Sequence, residues 1–130
     1  MSHFSTIKTE LRDRQALLAA IGDLGHTASE GERPVRGYRG QVVTADLAIA
    51  QDNGADIGFR WSEASGCYEL VTDLDLWQQP QPLERFLARL TQRYALRTIL
   101  AATAQEGFQV TEQSDRLDGA IELVVTRWSD

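Results

Sequence analysis

Cys67 is the only cysteine among 130 residues, so one chain can form neither an intramolecular disulfide nor a cysteine-rich zinc or iron–sulfur site. Histidine is almost as scarce. His3 and His26 show no HxxxH, HxH or HExxH spacing, and without partners neither reads as a metal ligand or a general base. No apolar run approaches the length of a membrane span, and Met1-Ser2-His3-Phe4 lacks both the basic and the apolar region of a secretory signal. Basic residues are the minority, thirteen against nineteen acidic, and the net charge of −6 disfavours a general nucleic-acid binder while leaving room for a local basic patch. No internal repeat, low-complexity tract or composition break marks a boundary, so one domain is expected over residues 1–130. What is present is ordinary: 42% hydrophobic and 25% charged residues, enough for a core that needs no metal or disulfide staple.

Periodicity supplies the elements. Alternation over Phe4 to Thr9 predicts a first strand. Leu17, Leu18, Ile21 and Leu24 recur at helical spacing, with Asp13 as N-cap and Gly25 just past the C-terminus. Residues 30–34, Glu-Gly-Glu-Arg-Pro, have the composition of a loop, and a short strand is expected near Val35 to Tyr38. Val42 to Ala50, a strand around Ile57, Phe59 and Trp61, and Cys67 to Thr72 make a three-stranded antiparallel meander. Gln51-Asp52-Asn53-Gly54 and Glu63-Ala64-Ser65-Gly66 turn it. The longest helix is predicted over Leu83 to Gln105, with Leu83, Phe86, Leu87, Leu90, Tyr94 and Leu100 as its apolar stripe and Gly107 as its stop. Two strands, Phe108 to Glu112 and Ala120 to Trp128, close the chain. The expected class is α+β: a single mainly antiparallel sheet with two helices packed on one face.

Chemistry-bearing residues are few. Asp73 and Asp75 form the only DxD pair; on extended backbone two such carboxylates point the same way and can hold Mg²⁺, and otherwise they satisfy loop amides at a strand exit. Cys67 has no base beside it and reads as a packed thiol. Arg36 and Arg39 flank Tyr38 between glycines, a combination suited to gripping an anion, a flat ligand or a partner surface. Arg85, Arg89, Arg93 and Arg97 recur every fourth residue. Such a ridge sets like charges against one another at about 0.2–0.5 kcal/mol per pair and therefore calls for acids, within the fold or on a partner. Of the tryptophans, Trp61 belongs to an apolar strand face, whereas Trp77 in a proline-rich loop and Trp128 near the end suit either core edges or interface anchors.

Several stretches together resemble one family. They are Met1-Ser2-His3-Phe4-Ser5-Thr6-Ile7-Lys8-Thr9, Val35-Arg36-Gly37-Tyr38, Ala55-Asp56-Ile57-Gly58-Phe59, Tyr68-Glu69-Leu70-Val71-Thr72-Asp73, and Asp118-Gly119 through Trp128. The chain is similar over essentially its whole length to the hypothetical chloroplast reading frame thirty-five family of cyanobacteria and some algal plastids, a domain of unknown function. The resemblance carries over no catalytic residue. It implies a cyanobacterial cytoplasmic or plastid-stromal setting and suggests a ring-forming ATPase as a protein partner.

The expectation is a non-catalytic protein-binding or accessory module that needs no cofactor. Arg36, Tyr38, Arg39, Arg85, Arg89, Arg93, Arg97 and Trp77 are its candidate contacts. A small-molecule or metal-dependent enzyme using Asp73 and Asp75 is the alternative, and RNA contact through the arginine ridge is the third.

Overall fold

The computed structural model describes residues 4–115 and 121–127. Five strands, β1 (Phe4–Lys8), β2 (Ala28–Arg36), β3 (Val42–Ala50), β4 (Asp56–Ser62) and β5 (Cys67–Asp73), form an antiparallel sheet in the order β1-β5-β4-β3-β2. The meander β3-β4-β5 sits at its centre, as its turn signals and alternation predict. Ile57, Phe59 and Trp61 point to one face. Their neighbours there are Leu47 and Ile49 of β3 and Tyr68 and Leu70 of β5, paired by register (Leu47↔Phe59, Ile49↔Ile57, Phe59↔Leu70).

Helices α1 (Arg14–Asp23) and α2 (Leu83–Gln105) cover that face through Leu17, Ala20, Ile21, Leu83, Phe86 and Leu90. Asp13 caps α1 by accepting from the Ala16 amide at 3.0 Å. The end of α1 is closed by amide bonds from Gly25 to the Gly22 carbonyl and from His26 to the Ile21 carbonyl, the paired bonds of a Schellman motif. The His26 ring then packs edge-on against Phe86, with centroids 5.9 Å apart, so this histidine is used for packing. Tyr94 of α2 reaches back to the start of α1, where its hydroxyl accepts from the Arg12 and Asp13 amides at 3.0 and 2.8 Å.

Three expectations need correction. Residues 30–34 are not a loop but part of β2, whose register shifts between Glu30 and Arg33; the extra residue of a bulge accommodates loop-like composition inside a strand. The last two strands, β6 (Phe108–Asp115) and β7 (Ile121–Arg127), do not join the main sheet; they pair with each other as a separate ribbon. The two edges of the sheet belong to β1 and β2, and the ribbon follows the C-terminal half of α2 along the chain. There Leu96, rather than the expected Leu100, is the buried residue. Trp128 and His3 lie outside the described residues.

Part of the second face of the sheet is covered by the chain's own hairpin. β3 pairs with β4 only over Leu47–Ala50, and Asp46 marks the departure, its carboxylate accepting from the Trp61 amide at 2.7 Å. Opposite this bend lies the β2 bulge. Beyond these two points Arg33–Arg36 and Val42–Ala45 continue as a two-stranded arm that lies over the sheet. Val35 and Ala45 are buried there with Phe4 and Val43 packed around them. Gly58 in β4 makes the contact feasible: a Cβ at this position would overlap the Val35 side chain and sit 3.1 Å from the Ala45 Cβ. No helix among the described residues is long and apolar enough to cross a membrane.

Candidate functional site

Two buried carboxylates anchor the tip of this arm. Asp56, at the start of β4, accepts from the Arg36 amide (2.8 Å), the Arg36 Nε (2.8 Å) and an Arg36 Nη (2.9 Å). The fork geometry is the strong, plane-fixing form of an arginine–carboxylate pair, and it holds the Arg36 pKa above its ordinary value. Asp73, at the end of β5 and fully buried, accepts from the Tyr38 amide at 3.0 Å with one oxygen and from the Asp75 amide at 3.1 Å with the other. The arm is thus tied to the sheet at two successive points, on either side of Gly37.

Between these anchors and β3 the chain reverses through Tyr38-Arg39-Gly40-Gln41. The Gln41 amide donates to the Tyr38 carbonyl at 3.1 Å, and both central residues have positive φ, 54° at Arg39 and 74° at Gly40. This is a type I′ turn, the form whose twist matches a hairpin and whose favoured residues are asparagine or aspartate followed by glycine. Gly40 fits without strain. Arg39 does not: it is the only non-glycine residue with positive φ among the described residues. Its guanidinium lies 5.0 Å from the centroid of the Tyr38 ring. Large apolar groups are left accessible around the turn: Tyr38 is 37% exposed, Val42 53% and Leu74, one residue past Asp73, 42%.

The other candidates separate in space. The arginine ridge divides in two. Arg93 and Arg97 both bond to the Asp23 carboxylate at the end of α1, Arg93 through Nε at 3.1 Å and Arg97 through Nε at 2.8 Å and a further Nη contact. The Arg97 hydrogen bond, then the Arg93 bond and both charges, outweigh burial and hold the Asp23 carboxyl below its ordinary range. Arg85 and Arg89 are exposed, with no ion pair among the described residues. Trp77 seals a core edge, its ring 5.3 Å from Phe86 in an edge-on pair and its Nε1 donating to the Gln81 carbonyl at 2.8 Å.

Asp73 and Asp75 do not share one extended strand. Asp75 lies in a 3-10 turn, Leu74–Leu76, and Asp73 is that turn's N-cap. Both Asp73 oxygens accept from backbone amides, the arrangement of a carboxylate at a strand exit. Among the described residues no group of three or more His, Cys, Asp or Glu side chains is placed to hold a metal ion. Cys67 is buried. The sequence reasoning missed Asp56 and Asp23, because their arginine partners lie twenty and about seventy residues away and no local pattern marks a pair so distant.

The described residues form a small α+β fold that bears a doubly anchored hairpin tip. Residues 20–124 match the family model described as "Protein of unknown function (DUF1257)", and the chain belongs to that family. Its relatives include the "Uncharacterized protein ycf35" of Guillardia theta, 41% identical over 128 residues that cover 98% of each chain. The proteins of the same name from Pyropia yezoensis and Cyanophora paradoxa are 39% and 38% identical, over 99% and 98% of each chain respectively. No solved structure matches this chain.

Proposed function

We propose that the chain is a non-catalytic protein-binding module whose docking surface is the tip of the β2–β3 arm. The observation that carries this reading is Arg39. A left-handed backbone conformation disfavours a side-chain-bearing residue by roughly 1–2 kcal/mol, and asparagine or glycine would relieve much of that strain at this turn. Strain of this kind, held by surrounding structure, is a mark of functional sites. Here it presents a cation stacked on tyrosine, on a backbone fixed by Asp56 and Asp73, with Val42 after the turn and Leu74 after Asp73 both exposed. Arginine and tyrosine on a rigid apolar patch are the residue types that dominate binding energy at interfaces.

The partner surface that complements this tip is acidic with an apolar centre. A ring-forming ATPase is the particular partner the family resemblance suggests, in a plastid stroma or a cyanobacterial cytoplasm. Arg85 and Arg89, on the far side of the helical layer, are a separate patch of charge without apolar companions and contribute less.

The test is capture from native lysate on immobilised protein, with wild type compared against Tyr38→Ser/Arg39→Glu and against Arg85→Glu/Arg89→Glu. A partner retained by wild type and by the helix variant, but lost from the tip variant, supports the reading. Loss only with the helix variant moves the surface to α2. Bound RNA that dissociates steeply with salt and is insensitive to both variants sinks the proposal.

A further inference from the structure

At the base of the same arm lies a recess of about 300 Å³, lined by Ser29, Arg33, Pro34, Arg36, Ala48, Ala50 and Asp56. It opens where the bulged part of β2 leaves the plane of the sheet. The floor is made of methyl groups because Ala48 and Ala50 alternate on the face of β3 that the arm overhangs. The size is at the lower end of the roughly 300–1,000 Å³ of small-ligand clefts.

We infer that this recess binds a small phosphate group, gripped by Arg33 and Arg36. Arg36 is preset. Its Nε and one Nη are fixed on Asp56, which sets the plane of the guanidinium, while three of the five N–H donors of an arginine are not given to that carboxylate. Arg33 is fixed at its root, where Nε donates to the Glu30 carbonyl across the bulge, so its four Nη hydrogens remain to reach over the recess. The Ser29 hydroxyl, on the recess wall, adds a donor. Charge favours an anion. Asp56 is the one carboxylate in the lining and is already neutralised by Arg36, whereas Arg33 forms no ion pair among the described residues. The recess is thus a local positive site on a chain of net charge −6.

The number of donors selects among anions. Arginine forks match phosphate and carboxylate alike, but two guanidinium groups and a hydroxyl supply more donors than a single carboxylate can accept. A phosphate with three or four acceptor oxygens can engage both arginines at once. The alanine and proline surfaces beneath leave room for a short apolar body attached to it. The recess shares Arg36 with the anchor of the tip, but its test rests on Arg33, which lies at the bulge and not at the tip.

Inorganic phosphate is the first probe, with chloride and acetate at matched ionic strength. At about ten times its dissociation constant, phosphate is expected to raise the Tm of the wild-type protein by roughly 3 °C or more above chloride. Amide resonances of Ser29, Ala48 and Ala50 should move in the same titration. Arg33→Ala removes an exposed side chain, and the folded variant is expected to bind phosphate about tenfold more weakly. Retained phosphate response in Arg33→Ala, or a response in wild type no larger than that to chloride, overturns the inference. An acetate response equal to that of phosphate overturns the assignment to phosphate. Partner capture by Arg33→Ala should be unchanged, so the result reads separately from the docking test.

Discussion

Arg39 holds its backbone in a conformation that asparagine tolerates far better, and the consequence is measurable. Arg39→Asn relieves about 1 kcal/mol of left-handed strain and gives up about 0.5 kcal/mol of exposed cation–π attraction. The variant is therefore expected to be about 0.5 kcal/mol more stable in denaturant titration and weaker in partner capture. A variant that is less stable would show that the stacked guanidinium, rather than function, accounts for arginine at this turn. Gly58 poses the opposite problem. Adding one methyl group there drives a Cβ into Val35, so Gly58→Ala is expected to lose about 1–3 kcal/mol and to loosen the arm from the sheet. Proteolysis read at β2 and β3 should detect the loosening before global unfolding. Unchanged protection would mean that the arm is held by Asp56 and Asp73 alone.

At the scale of elements, the two helices are joined by a single carboxylate. Asp23 is 13% exposed and receives two arginines of α2, so its removal leaves two half-buried cations without their acid. Asp23→Ala is expected to cost about 1–3 kcal/mol, and Asp23→Asn somewhat less because the amide oxygen still accepts. The pH dependence follows from the lowered pKa. The unfolded carboxyl titrates near the ordinary aspartate value of 3.8, the folded one below it. The stabilisation is therefore complete above that value and is lost as the pH falls through the folded pKa. Denaturant midpoints measured from neutral pH downward should fall more steeply for wild type than for Asp23→Asn in this acid window. Parallel curves would assign acid sensitivity to other carboxylates. β2 illustrates a second device at this scale: as an edge strand it carries a bulge, Pro34 and several exposed charges, each of which discourages pairing with another chain.

At the scale of the whole molecule, the hairpin arm makes the two faces of the sheet different in kind. One face is apolar and receives two helices. The other is shielded by a small apolar cluster ringed with buried acids whose partners are arginine and backbone amides. Each of those acids is engaged by hydrogen bonds within the fold, which bears on the metal-enzyme alternative. Magnesium at millimolar concentration is expected to leave Tm unchanged, because a Mg²⁺ site needs carboxylate oxygens and Asp73 has both of its own engaged. A rise in Tm abolished by Asp75→Asn would return Asp73 and Asp75 to consideration.

Local physics was sufficient for most of the elements, though not for the strand over residues 30–34. Alternation in Ile57, Phe59 and Trp61, the Asp13 cap, the Asn53-Gly54 turn and the 3.6-residue stripe of Leu83, Phe86 and Leu90 are each decided within a few residues, and their strands and helices stand where the pattern puts them. Resemblance along the chain was sufficient for the family. Where the charges go was not legible, because a salt bridge is a matter of distance in space. Four arginines at identical spacing read as one ridge, yet two of them meet Asp23 and two face solvent. In the same way Asp73 and Asp75 looked like a matched pair until the turn at Leu74 set them in different surroundings. The bulge and bend that fold the arm over Gly58 depend on opposing irregularities in two strands, and only their pairing brings Arg36 to Asp56 and Tyr38 to Asp73.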